Sequence, residues 1–170
     1  MVRPRRLDNF EYLGPNAYFV TACTFNRIRW FADDGCARAA SAQLLRTSSD
    51  YGFDLVAYCF MPDHLHALVA GIRADADFRK FTAMFKQRSA FDHAAKRKGR
   101  LWQEGYLEHI VRSDEKLEHI IAYIVANPVR AGLCDGLGKY PYLGSSCYTL
   151  EQIQEMIQMN TGREREPWRP

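Results

Sequence analysis

The chain is predicted to be an α+β protein: a ferredoxin-like βαββαβ antiparallel sheet with helices on one face, plus a third helix that carries a tyrosine. Three observations predict this. Runs rich in β-branched and aromatic residues recur at 17–25, 53–60, 64–70 and 106–112. Longer amphipathic segments separate the first run from the second and the third from the fourth. The middle two runs are joined only by Met61-Pro62-Asp63, a link so short that it forces an antiparallel hairpin. Strand, helix, strand, strand, helix, strand is the split βαβ order, and it leaves one sheet face open for a site.

The first strand, AYFVTACTF at 17–25, follows the turn-forming Gly14-Pro15-Asn16. Residues 34–50 carry Ala, Leu and Gln at helical spacing between Asp33-Asp34-Gly35 and Tyr51-Gly52. FDLVAYCF at 53–60 and HLHALVA at 64–70 form the hairpin. From Asp75 to about Lys98 the spacing predicts a second helix, with Phe78, Phe81, Phe85 and Ala90 on its apolar side and Gly99 as its stop. YLEHIVR at 106–112 is the fourth strand. Ser113 is expected to cap a third helix with Leu117, Ile120, Ile121 and Ile124 as its core stripe, ending near Asn127-Pro128 because a residue before proline avoids the α region. TLEQIQEMIQMN at 149–160 predicts a short final helix.

A length of 170 residues suits one compact domain. We assign that domain to 1–148, with a basic arm over 1–12, and a C-terminal helix and frayed tail to 149–170. An apolar fraction of 47% with 25% charged residues excludes disordered and collagen-like classes. No stretch approaches the roughly 20 apolar residues of a membrane span. The five cysteines are widely spaced with no C-x-x-C pair, so reduced thiols and a cytoplasmic location are expected. A net charge of +3 is a weak signal for nucleic acid, but its distribution is informative. Arg3, Arg5 and Arg6 cluster in the arm, and Lys86, Arg88, Lys96, Arg97, Lys98 and Arg100 in and after the second helix. Either a solvated face or a phosphate-binding surface accounts for them.

Alternate strand residues share a face, so His64 and His66 project together. Two adjacent neutral imidazoles are half of a divalent-metal site, although two polar residues on an open face account for the pattern equally well. On the third helix, Tyr123 and Asn127 are four apart and stack on one face, with His119 a turn earlier. A rim tyrosine and a capping asparagine are the plainer account of that helix taken alone.

Three segments in order carry a resemblance. Met61-Pro62-Asp63-His64-Leu65-His66 resembles the histidine–hydrophobic–histidine motif of the HUH single-tyrosine transposases. Tyr123-Ile124-Val125-Ala126-Asn127-Pro128 resembles their tyrosine helix, and Leu101-Trp102-Gln103-Glu104-Gly105-Tyr106 also fits. Within that family the chain is most similar to the REP-associated tyrosine transposases of bacteria, over roughly residues 12–135.

The resemblance implies a transposase that cleaves and rejoins single-stranded, hairpin-associated DNA through a 5′-phosphotyrosine. It implies Tyr123 as nucleophile, and His64, His66 and Asn127 as ligands of a divalent metal, Mg²⁺ or Mn²⁺. The basic clusters would contact DNA, and a monomer is favoured over a homodimer. Asp63 is a candidate to orient an imidazole. His109 and His119 are candidates to take the Tyr123 proton, although a supporting or surface place accounts for each more readily. Tyr18 and Trp102 are candidates to stack unpaired bases, although a core or surface place accounts for each more readily. The alternative is a non-catalytic module binding single-stranded DNA or RNA on the same fold, although no RNP signature is found. A two-histidine iron oxygenase would want a carboxylate where Asn127 stands.

Overall fold

The computed structural model describes residues 10–112 and 115–160. The basic arm with Arg3, Arg5 and Arg6 lies outside the described residues, as does the tail beyond 160.

The chain runs β1 (Ala17–Cys23), α1 (Asp34–Tyr51), β2 (Phe53–Met61), β3 (His64–Gly71), α2 (Phe78–Lys96), β4 (Leu107–Ile110), α3 (Leu117–Arg130), β5 (Leu143–Gly144) and α4 (Leu150–Asn160). The strands form one antiparallel sheet in the order β4-β1-β3-β2-β5. The βαββαβ unit is therefore present, with the two-residue β5 added at the β2 edge. Only the pairing of Tyr58 with Gly144 and Cys59 with Leu143 defines that strand, a signal too small to stand out in sequence.

Local chemistry fixes the helix ends. Asp33 accepts the Cys36 amide at 2.8 Å at the start of α1, and Asp77 accepts the Lys80 amide at 3.0 Å at the start of α2. Gly52, left-handed at φ 71°, ends α1. The α4 helix opens with a reciprocal pair, in which the Gln152 amide donates to Thr149 Oγ1 and the Thr149 amide to Gln152 Oε1.

Strand alternation sorts the core onto two faces. Tyr18, Val20, Leu65, Ala67 and Val69 pack toward α1 and α2, against Leu44, Phe78, Phe81 and Phe85. Phe19 and Leu68 point the other way, toward Ile120, Ile121 and Ile124 of α3 and Ile153 of α4. A register shift between Leu55 and Ala57 changes the side of β2 that faces each layer, so Leu55 meets the first layer and Ala57, Cys59 and Met61 the second.

The face expected to be open is therefore covered over much of its area by α3 and α4. Two boundaries of α3 also differ from expectation. Ser113 lies outside the described residues; the helix begins at Leu117 with Lys116 at its N-cap, and ahead of it the Glu115 amide donates to the Arg112 carbonyl at 3.1 Å and the Glu115 carboxylate accepts the Arg112 amide at 3.2 Å. At the other end it continues through Pro128 to Arg130. Proline removes a single donor there and its ring is buried in the core. A Schellman turn then stops the helix, with Gly132 at φ 67° and the Leu133 amide bonded to the Pro128 carbonyl at 2.8 Å.

Candidate functional site

The site forms at the hairpin end of the sheet, on the α3 side. The β2–β3 turn places His64 and His66 two apart on β3, both on the face that carries Phe19 and Leu68. Their Nε2 atoms lie 3.0 Å apart. Each Nδ1 is held from behind: His64 Nδ1 donates to Asp63 Oδ1 at 2.6 Å, and His66 Nδ1 lies 2.9 Å from Thr21 Oγ1 on β1. Because an ionised carboxylate only accepts, Asp63 keeps the proton on His64 Nδ1 and turns the Nε2 lone pair into the site.

The electrostatics favour neutral imidazole at the inner position. His66 is 6% exposed, and burial, reinforced by His64 and Arg27, pushes its pKa down to about 3. Partial burial alone would raise Asp63, but the hydrogen bond from His64 and the charge of Arg27 outweigh it, and the carboxyl lies below its ordinary value. Arg27 reaches Asp63 Oδ2 and His64 Nδ1, each at 3.4 Å.

Helix α3 lays Tyr123 beside this pair. Its ring meets the His66 imidazole edge-on at 5.6 Å between centroids and the Phe19 ring at 5.8 Å, while the Arg130 guanidinium sits 5.8 Å from its centre. Asn127, one turn on, donates Nδ2 to the Tyr123 carbonyl at 2.9 Å. Among the described residues no group of three or more His, Cys, Asp or Glu side chains is placed to hold a metal ion. A third protein ligand drawn from the described residues would be of another residue type.

A family model described as transposase IS200-like matches residues 16–127, a span that holds the histidine pair, Tyr123 and Asn127. The chain belongs to this family of IS200-like transposases. It is 28% identical over 136 residues to a Haemophilus influenzae protein named as a REP-associated tyrosine transposase, an alignment taking in 74% of this chain and 77% of that one. It is 27% identical over 99 residues to the REP-associated tyrosine transposase of Escherichia coli K12, covering 58% of each. Among solved structures it is similar in fold to a REP-associated tyrosine transposase bound to a REP hairpin, with a TM-score of 0.69, 24% identity, and coverage of 84% of this chain and 82% of that one.

In this IS200-like transposase the other candidate residues are distributed unevenly. Asp63 sits against His64. His109, on β4, pairs with Glu115 at 2.7 Å, and His119 stands part-buried one turn before Tyr123. Lys96, Lys98 and Arg100 are exposed. Arg97 is paired with Asp33, and Arg88 with Asp50 at 2.6 Å. Lys86 is half-buried, donating to the carbonyls of Gln103 at 2.8 Å and Gly105 at 2.6 Å, and burial pushes its pKa down to about 8.

Tyr18 and Trp102 take the plainer of the places expected for them and are no stacking platform for bases. Both are core residues: Tyr18 stacks on Phe78 at 3.9 Å and Trp102 donates Nε1 to Ser89 Oγ at 2.8 Å. Alternation along β1 sends Tyr18 to the face opposite Phe19, away from the histidines. Neither Thr21 nor Arg27 is marked by any local pattern, since each acquires its partner only through strand register or loop conformation. No helix of the described residues is long and apolar enough to cross a membrane.

Proposed function

We propose that this chain cuts and rejoins single strands of DNA through a covalent phosphotyrosine on Tyr123. The observation that carries the reading is the contact of the Tyr123 ring with the His66 imidazole, 5.6 Å between centroids. A nucleophile type and a metal-ligating pair meet from different elements of one chain, which supports action in cis by a monomer.

The donor set fits a divalent ion, Mg²⁺ or Mn²⁺. Two Nε2 atoms 3.0 Å apart can both reach one ion at roughly 2.1 Å. His66 can release its Nε2 lone pair by carrying its proton on Nδ1, because the Thr21 hydroxyl accepts as readily as it donates. Asn127 spends its amide nitrogen on the Tyr123 carbonyl, so its oxygen is the end suited to be the third ligand. An ion held there would polarise the scissile phosphate and offset charge on the departing oxygen.

Tyr123 does the covalent chemistry. Its phenol oxygen forms the new bond to phosphorus as the bond from phosphorus to the 3′ oxygen breaks. The phenolic proton passes to solvent, and the 3′ oxygen takes up a proton to become a 3′-OH. A strand's 3′-OH reverses these steps by displacing the phenol, so joining consumes no triphosphate. A structural relative is bound to a REP hairpin, which supports hairpin DNA with an adjacent single strand as substrate, and the exposed Lys96, Lys98 and Arg100 are suited to its phosphates.

Incubation with labelled hairpin oligonucleotides and Mn²⁺ is expected to give a denaturant-resistant protein–DNA adduct that EDTA prevents. Tyr123→Phe is expected to form none. An adduct of equal yield from Tyr123→Phe would exclude Tyr123 as nucleophile, and metal-independent binding without any cleavage would identify a non-catalytic single-strand binding module.

A further inference from the structure

Resting on that reading, we propose that Arg27 is the phosphate clamp of the site, its guanidinium holding a non-bridging oxygen of the DNA phosphate that lies against His64 and His66.

The loop after β1 is built to aim this side chain. Asn26 (φ 52°, ψ 26°) and Arg27 (φ 56°) are consecutive left-handed residues, and they are the sole non-glycine residues with positive φ among those described. Asparagine enters this region at little cost, but arginine does so rarely, and strain at such a residue persists where surrounding bonds over-determine it. Those bonds are present. The fully buried Thr24 donates its amide to the Asp63 carbonyl at 2.9 Å, and its hydroxyl to the carbonyls of Asp63 at 2.9 Å and Ile28 at 2.7 Å. The Phe25 amide donates to the Leu101 carbonyl at 2.9 Å. The loop is thereby stapled to the turn that precedes His64.

The guanidinium itself is lightly used. Both of its side-chain contacts, to Asp63 Oδ2 and His64 Nδ1, run through one nitrogen at 3.4 Å, beyond the roughly 2.7–2.9 Å of a charge-assisted hydrogen bond. Asp63 already takes the His64 proton at 2.6 Å on its other oxygen, so the arginine is not needed to orient that ring. The side chain is 50% exposed. A planar fork of donors, half in solvent beside an imidazole pair, matches two oxygens of a phosphodiester. Arg100 extends the same surface: its guanidinium lies 5.4 Å over the ring of Phe25, the residue two before Arg27.

The test compares the parent protein with Arg27→Gln and Arg27→Lys. With Mn²⁺ saturating, Arg27→Gln is expected to slow adduct formation by about 10²–10³-fold, and Arg27→Lys to recover part of the loss. Mn²⁺ affinity, measured by paramagnetic resonance titration, is expected to be unchanged. The slope of log affinity for oligonucleotide against log salt should fall by about one in Arg27→Gln. A loss of Mn²⁺ affinity that accounts for the loss of rate would overturn the clamp and make Arg27 a positioning residue acting through Asp63 and His64. Unchanged rate and unchanged salt slope would also overturn it. If the parent forms no Tyr123-dependent adduct, the cleavage reading fails on its own and the salt slope still decides whether Arg27 holds phosphate. A parent that binds no oligonucleotide overturns both.

Discussion

Thr21 Oγ1 lies 2.9 Å from His66 Nδ1, across the β1–β3 pairing in which the two residues stand directly opposite. This bond and its counterpart from Asp63 to His64 turn both Nε2 atoms inward. Groups that hold a ligand's far nitrogen fix its tautomer and orientation, and losing one costs typically about 10–100-fold in metal affinity. Thr21→Val and Asp63→Asn are each expected to weaken Mn²⁺ binding by about that factor, with thermal stability little changed for Thr21→Val. Calorimetric titration reads this directly; parent-like affinity in both variants would show that the imidazoles are set by packing instead.

The histidine pair was legible because a strand repeats every two residues and a turn of Pro62-Asp63 admits one topology. Tyr123 and Asn127 were legible as helix neighbours, and their approach to the pair followed from laying α3 on the remaining face. Thr21 was not legible, since its role depends on the register of β1 against β3, which no local pattern specifies. The register shift in β2 was hidden because that strand is apolar on both faces. Lys86 read as one more surface cation in a helix, and only the path of residues 103–105 beneath its amine reveals otherwise.

Lys86 and Lys98 should separate by experiment for that reason. Truncating Lys86 leaves two carbonyls without their donor in a half-buried place, at a cost of roughly 1–3 kcal/mol. Lys86→Met is therefore expected to lower the melting temperature without altering the salt dependence of DNA binding. Lys98 is exposed, and Lys98→Gln should do the reverse, reducing the salt slope by about one at constant stability. Identical behaviour of the two variants in both assays would contradict this division.

His93 gives the fold an acid sensitivity of its own. It is buried among Trp30, whose ring lies 4.6 Å away, and Cys36, whose sulfur is 3.6 Å from Nδ1. Burial first, and the charge of Arg97 second, lower its pKa. The unfolded chain then binds a proton near pH ~6.5 that the folded chain refuses, so stability is fully present above that pH and declines as pH falls toward the folded value. Denaturant midpoints at pH 7.5 and 5.5 should show the decline, and His93→Phe should reduce it, leaving the part that the buried His66 contributes by the same linkage. A midpoint in the parent that rises on acidification would reverse the sign and refute the argument.

Phe19 holds Tyr123, the proposed nucleophile, against the histidine pair. Its ring stacks on His66 at 5.5 Å, nearly parallel, and meets Tyr123 edge-on at 5.8 Å, so one flat side chain spaces both. Phe19→Leu keeps an apolar side chain of similar size in the core, at a cost below about 1.5 kcal/mol, but removes the flat surfaces. Because His66 remains tied to Thr21, metal affinity is expected to be retained. Tyr123 has lost an aromatic edge contact, and a misplacement of the attacking oxygen by about 1 Å can cost on the order of 10²-fold in rate. Single-turnover adduct formation at saturating Mn²⁺ should accordingly slow by tenfold or more, on the order set by that misplacement. The rate loss must appear without a matching loss in metal binding, because only then does Phe19 act on where Tyr123 stands rather than on the imidazoles.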